Sequence, residues 1–402
     1  MRLLNVLGTV LRQFSYQYFF LFIFFMYSVL PFLLYSVFDF NRYYLLLSQI
    51  TLSGLCVASI SYRINLIDDW VSSTAKVRIN PLKFHFFIWS IFISIFLYLC
   101  LTAAEIPIVS ALLGADAASV SAARGAFMKG RDGLARFLIY PMSFFYTVLL
   151  PYSIMLLYQN KSRLRYFAIS IFTIFCLVTT AKAMFIFILL PLLYFSIQHD
   201  SLGKSTIALR YIALLIGSVI FLTALTIPSG DSLGFSSLGI DDYFSASAAK
   251  NSGDAFSFII WRSTAVNIFT AADTLQVFFE QLKGDLLLGS TSSSLSFIFG
   301  MDQVMIERMV FEHQFGSWND IANANAFYLI DGYINFGVLG VFLYALFSGQ
   351  ILRLLSRSSI SFSALGPLFC FGLMTSGLIG NLLGNGWLLL LILRVFFVID
   401  HK

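Results

Sequence analysis

The chain has 402 residues, 59% of them hydrophobic and only 11% charged, with a formal net charge of +5. A soluble domain would carry roughly a quarter charged residues. Composition therefore excludes an ordinary soluble enzyme or nucleic-acid-binding module and predicts an all-α, polytopic integral membrane protein. The four cysteines (Cys56, Cys100, Cys176 and Cys370) fall within or at the ends of apolar runs. There they read as small hydrophobes, and they support neither a disulfide framework nor a zinc site.

In chain order, the first apolar run, Tyr16–Phe38, follows Arg2 and Arg12. It is too long for a signal core and lacks a small-residue cleavage site, so it reads as a retained span. Ten spans are predicted, at about 16–38, 43–62, 84–103, 137–158, 166–181, 183–198, 206–227, 326–352, 362–381 and 386–399. The fifth and sixth are short and meet at Ala181-Lys182-Ala183, as in a tilted hairpin or a re-entrant pair, so the total is ten to twelve. The expected organisation is an N-terminal bundle of about seven spans at 1–228, a large loop at 229–325 containing short helices, and C-terminal spans at 326–402. No internal repeat is visible.

Lys and Arg collect in one set of short loops: Arg2 and Arg12; Arg63, Lys76, Arg78 and Lys83; Lys161, Arg163 and Arg165; then Lys204, Arg353, Arg357 and Lys402. The positive-inside bias assigns this side, and with it both termini, to the cytoplasm. The outer face then carries the segment 104–136, the Lys182 turn and the long loop, which holds eleven acidic against four basic residues.

Segment 104–136 runs against that bias, with Arg124, Lys129, Arg131 and Arg136 in an Ala-rich stretch. Arg124 and Arg131 are seven apart, as are Lys129 and Arg136, so each pair would share a face of a continuing helix. Gly125, Gly130 and Gly133 would let backbone approach a ligand. Two readings stand: a cationic cradle for a phosphate or diphosphate, whose oxygens match the guanidinium fork, or an interfacial helix with its cations on lipid headgroups. Lys182, alone between two apolar runs, is either a functional cation or one that snorkels. Arg262, beside Trp261, lies on an apolar-periodic stretch at 254–281.

Residues 307–337 combine Glu312, His313, Asn319, Asp320, Asn323 and Asn325, with Phe315 and Trp318 available for stacking on sugars. His313 is the one histidine assigned to the outer face. An imidazole near its ordinary pKa can take a proton from a hydroxyl, though a solvated loop histidine fits equally. Asp331 is the one acid inside a span, as a substrate contact or as a structural hydrogen-bonding group. Walker, HExxH, GxSxG and dinucleotide motifs are absent.

The layout resembles the Wzy-type O-antigen and oligosaccharide repeat-unit polymerases. The resemblance is carried by SVSAARGAFMKGRDGLARFLIYP (119–141), TTAKAMFIFILLP (179–191), FIIWRSTAVNIF (258–269) and NANAFYLIDGYINFGVLG (323–340). It implies an inner-membrane glycosyltransferase acting at the periplasmic face of a bacterium. Such a protein moves a growing glycan from undecaprenyl diphosphate onto another lipid-linked repeat unit, needs no cofactor and no metal, and works beside a chain-length regulator protein. Family members tend to have Arg where Lys182 stands.

On this reading Arg124, Lys129, Arg131, Arg136, Lys182 and Arg262 hold the diphosphate, with Arg262 also stabilising the leaving group. His313, or failing it Glu312 or Asp320, handles the acceptor proton. Trp318, Asn323, Asn325 and Asp331 meet the glycan. An O-antigen ligase acting on lipid A-core, a lipid-linked oligosaccharide flippase and a non-catalytic assembly protein are the alternatives.

Overall fold

Long apolar runs fold as helices because backbone polar groups facing hydrocarbon must be satisfied within the segment. The computed structural model describes residues 16–128, 130–181, 184–199, 217, 238–251, 255–317 and 323–399. It is mostly helical. Among the described residues five helices are long and apolar enough to cross a membrane: Tyr16–Phe38 (α1), Arg42–Ser73 (α2, whose regular part ends at Arg63), Pro81–Leu101 (α3), Gly133–Gln159 (α5) and Tyr328–Ser356 (α10).

Between and after them lie Ala117–Met128 (α4), Leu164–Thr179 (α6), Met184–His199 (α7), Asn267–Glu280 (α8), Ile306–Phe315 (α9), Gly366–Thr375 (α11) and Trp387–Phe396 (α12). Nine of the ten expected segments are thus apolar helices, five at full length and four shorter; the segment at 206–227 lies outside the described residues. A two-stranded parallel sheet departs from the all-α expectation. Val77–Ile79 (β1) pairs with Phe397–Ile399 (β2), two short β-prone runs outside the long helices.

The core is organised on the packing of α2 against α10. A Cβ on Gly349 would come within 2.5 Å of the Ala58 carbonyl oxygen, so glycine is what lets the two backbones approach. Polar groups then lock the pair. Ser61 Oγ donates to the Leu346 carbonyl at 2.7 Å, and Gln350 Nε2 donates to Ser61 Oγ at 3.1 Å. Arg353 Nη1 donates to the Tyr62 and Arg63 carbonyls, both at 2.9 Å, satisfying groups that the end of α2 leaves open. Its Nε donates to Asp68 Oδ2 at 2.6 Å, with 8% and 15% of the two side chains exposed.

The expected eighth span is not one continuous helix. Gly337, at φ 63° and ψ −148°, interrupts α10 and removes the helical partners of the preceding carbonyls. The chain at 287–289 replaces them. Leu287 N donates to the Ile334 carbonyl at 3.0 Å, Leu288 N to the Asn335 carbonyl at 2.9 Å, and Gly289 N to Asn335 Oδ1 at 2.9 Å. Non-helical backbone in such a segment is tolerated when it is buried against other protein in this way.

Removing Asp68 leaves the Arg353 guanidinium buried and without its counter-charge, a change that costs about 3–5 kcal/mol. Asp68→Ala is therefore expected to lower the thermal unfolding temperature of the detergent-solubilised protein, and Asp68→Ala with Arg353→Met to recover part of the loss. Equal melting of Asp68→Ala and the parent chain would show that the pair does not hold α2 to α10.

Candidate functional site

At the end of the bundle away from Arg353, the start of α2 meets α8: Tyr43 Oη donates to Glu280 Oε1 at 3.1 Å. Here α4 and the turn leading into α8 bring two of the predicted cations near each other. On α4, Val120, Ala123 and Phe127 point into protein, and Arg124, one turn after Val120, is carried half-buried beside them. Arg262 opens a π-helical turn, Arg262–Val266, that runs straight into α8. The turn is pinned by the fully buried Trp261, whose Nε1 donates to the Tyr243 carbonyl at 2.8 Å, and by a 2.9 Å hydrogen bond between Tyr243 Oη and Thr264 Oγ1. The Arg262 guanidinium lies 5.8 Å from the centre of the Phe258 ring.

Both arginines are made less basic than usual, and burial is the main cause for each. For Arg262 the charge of Arg124 adds to it. Arg262 nevertheless presents an accessible surface. Neither arginine makes an ion pair with a described carboxylate. Two crowded, uncompensated cations that repel each other are relieved by an anion, and the guanidinium fork suits phosphate oxygens.

A second polar cluster continues along α8. Asn325 Nδ2 donates to Asn267 Oδ1 at 2.9 Å, joining the segment before α10 to the first turn of α8. Gln314 Nε2 donates to Asp273 Oδ2 at 2.7 Å and to Thr270 Oγ1 at 3.2 Å. Burial pushes the Asp273 carboxyl up to about 6, against the opposing pull of Gln314 and of the charge on His313. Burial also raises Glu307, the second residue of α9, which shares a small cavity with Asp331, Thr274 and Asn325. Asp331 Oδ1 accepts from Thr291 Oγ1 and from Asn335 Nδ2, each at 3.0 Å. Among the described residues no three His, Cys, Asp or Glu side chains group to hold a metal ion.

The predicted residues therefore separate into groups. Arg124 and Arg262 come together; Asn325 and Asp331 line one cavity; His313, exposed, faces Asp273. Arg131 does not share a face with Arg124, because α4 stops at Met128 and Gly133 has φ 57°. Its Nη2 instead donates to the Leu99 carbonyl at 2.9 Å and its Nε to the Phe127 carbonyl at 3.2 Å, capping the end of α3. Arg136 and Asn323 are exposed. Glu312 pairs with Arg308 at 2.6 Å one turn away on α9, an exposed pair of small energetic weight. Lys129, Lys182, Trp318 and Asp320 lie outside the described residues.

Sequence reading missed Asn267, Asp273, Glu307 and Gln314. Asp331 and Asn335, spaced i and i+4 on one helical face, offered a readable sign of a paired polar site.

Comparison with protein-family models, with curated proteins and with solved structures finds no match. The chemistry of the site is accordingly argued from its own geometry. Arg262 and Asp273 are eleven residues apart, roughly 16 Å along a helix. A ligand that engages both is larger than a phosphate ion.

The raised Asp273 gives a pH signature. The native state favours the protonated carboxyl, so the group's contribution to stability is full below its ordinary value and is lost as pH rises through about 6. Asp273→Asn should thus melt above the parent at pH 8, with the gain shrinking as pH falls below 6. A constant difference across that range would show that Asp273 does not titrate there.

Proposed function

We propose that the chain is a membrane glycosyltransferase that polymerises lipid-diphosphate-linked oligosaccharide repeat units. The observation that carries this reading is the approach of Arg124 and Arg262, 138 positions apart in the sequence, close enough for their charges to oppose each other and without a described acidic partner. A diphosphate is the leaving group that such a pair would hold and neutralise. Fixed cations aimed at developing negative charge are a large term in transfer reactions of this kind.

In this reading the donor is an undecaprenyl-diphosphate-linked glycan, and the site faces the periplasm of a bacterial inner membrane with both termini in the cytoplasm. The Asn267–Asn325 pair, next to Arg262 on the path into α8, offers amides to sugar hydroxyls. His313, close to Asp273, takes the proton of the acceptor hydroxyl as that oxygen attacks the anomeric carbon and the diphosphate leaves, inverting the centre. Arg131, bonded to the Leu99 carbonyl, supports the end of α3. A chain-length regulator would be the protein partner.

The test is a gel profile of surface polysaccharide from a deletion strain complemented with the parent gene, Arg124→Ala, Arg262→Ala or Arg136→Ala. Core bearing a single repeat unit is expected in the deletion and in the first two variants, at unchanged protein level, while the exposed Arg136→Ala restores a ladder. Core without any repeat unit in the deletion would point to a ligase or flippase. A parental ladder from Arg124→Ala and Arg262→Ala would overturn the diphosphate site.

A further inference from the structure

The opposite end of the bundle holds a feature that the proposed glycan chemistry does not use. An apolar groove of about 840 Å³ opens between the first turns of α3 and the short helix α12, floored by Leu149 of α5. Its volume falls in the range of sites that take a small ligand, roughly 300–1,000 Å³. Leu82, Phe86, Phe87, Leu389 and Leu393 form its walls, and Lys83 is its one charged lining residue. Phe86 and Phe87 are 75% and 66% exposed. Among the described residues no helix covers these rings, α12 being short and turning directly into β2.

Lys83 borders the groove, and Lys76 stands three residues before Ile79, another of its lining residues. Lys83 is exposed on the first turn of α3, and Lys76 lies just before β1, half-buried. Lys76 is made less basic, first by burial and then by the charge of Arg394. Arg394 Nε is engaged by Ser358 Oγ at 2.8 Å, and Asp68 is taken by Arg353 and Arg357. Neither lysine pairs with a described carboxylate. The pairing of β1 with β2 fixes this arrangement, because it places Lys76, Ile79 and Leu393 on segments joined by backbone hydrogen bonds.

An apolar channel with one unpaired lysine in its lining, and a second on the segment that leads to it, is complementary to one kind of molecule, a lipid with a negative headgroup. We infer that the groove between α3 and α12 is a binding site for an anionic phospholipid, its acyl chain against Phe86, Phe87 and Leu393 and its phosphate at Lys83 and Lys76. Basic sites of this sort between helices favour acidic headgroups, each lysine contributing about fivefold in affinity. The inference does not depend on the proposed glycosyl transfer, whose cations lie at the other end of the bundle.

Native mass spectrometry of the detergent-purified full chain, with added phosphatidylglycerol or phosphatidylcholine of the same acyl chains, tests it. Phosphatidylglycerol adducts should be favoured by about tenfold or more. Lys76→Gln with Lys83→Gln should bring the two lipids level, and Leu389→Trp, which fills the groove and leaves the lysines in place, should weaken both adducts. Parental melting temperatures in the two variants would show that they fold. Equal binding of the two lipids by the parent, or an unchanged preference in the lysine variant, would overturn the site. So would displacement of phosphatidylglycerol by a polyprenyl phosphate at equal concentration, since the groove would then belong to the substrate lipid.

Discussion

The close approach of α2 and α10 is the constraint on which the other positions rest. Gly349 against Ala58 sets the distance between the helices, and the Arg353 guanidinium, bonded to two carbonyls of α2 and to Asp68, fixes their register. The same two helices reach the far end of the bundle. There α2 presents Tyr43 to Glu280 of α8, while α10 begins with Asp331 and Asn335. A shift of one helix along the other would therefore move the turn carrying Arg262 relative to the cavity holding Glu307 and Asp331. A rigid seam at one end positions separate polar clusters at the other.

The arginines of this chain divide by what their donors meet. Arg353 and Arg131 are capping groups: each donates to backbone carbonyls at the end of a helix, where the dipole favours a cation. Arg124 and Arg262 sit in comparably crowded surroundings without a described counter-charge, and each weakens the basicity expected of a free guanidinium. Burial without compensation is unfavourable for the folded protein and is retained where charge does work on a ligand. By this physical criterion the first pair is structural and the second forms the candidate site.

Hydropathy made most of the helical framework legible, because the bilayer imposes segment length and internal hydrogen bonding, and both leave long apolar runs. The interruption at Gly337 was less legible. The run YINFGVLG is apolar apart from Asn335, and the amide donors that make the break tolerable come from residues 287–289 in a different part of the sequence. The short parallel sheet was hidden for the same reason, its strands being more than 300 positions apart.

In the site, Arg124 and Arg262 could each be noticed as cations out of place, but sequence spacing grouped Arg124 with Arg131 on one helical face. The end of α4 at Met128 undid that grouping and turned Arg131 onto α3. Asp273 was passed over because a single acid on an amphipathic helix looks solvated until its neighbours are known.

Cations gather at both ends of the bundle, yet their surroundings differ in kind. Beside Lys83 the adjoining surface is almost wholly apolar, formed by phenylalanines and leucines that no described helix covers. Such a surface gains from hydrocarbon and offers nothing to a hydroxyl. Beside Arg262 the chain leads into paired asparagines, a glutamine bridging Thr270 and Asp273, and a cavity with two carboxylates. Buried polar groups of that density are unfavourable unless hydrogen-bonded, and a polyhydroxylated ligand supplies donors and acceptors in kind. Charge alone would assign both ends to phosphate. The neighbouring atoms separate them: one cation adjoins an apolar groove, the others a hydrogen-bonded polar cluster.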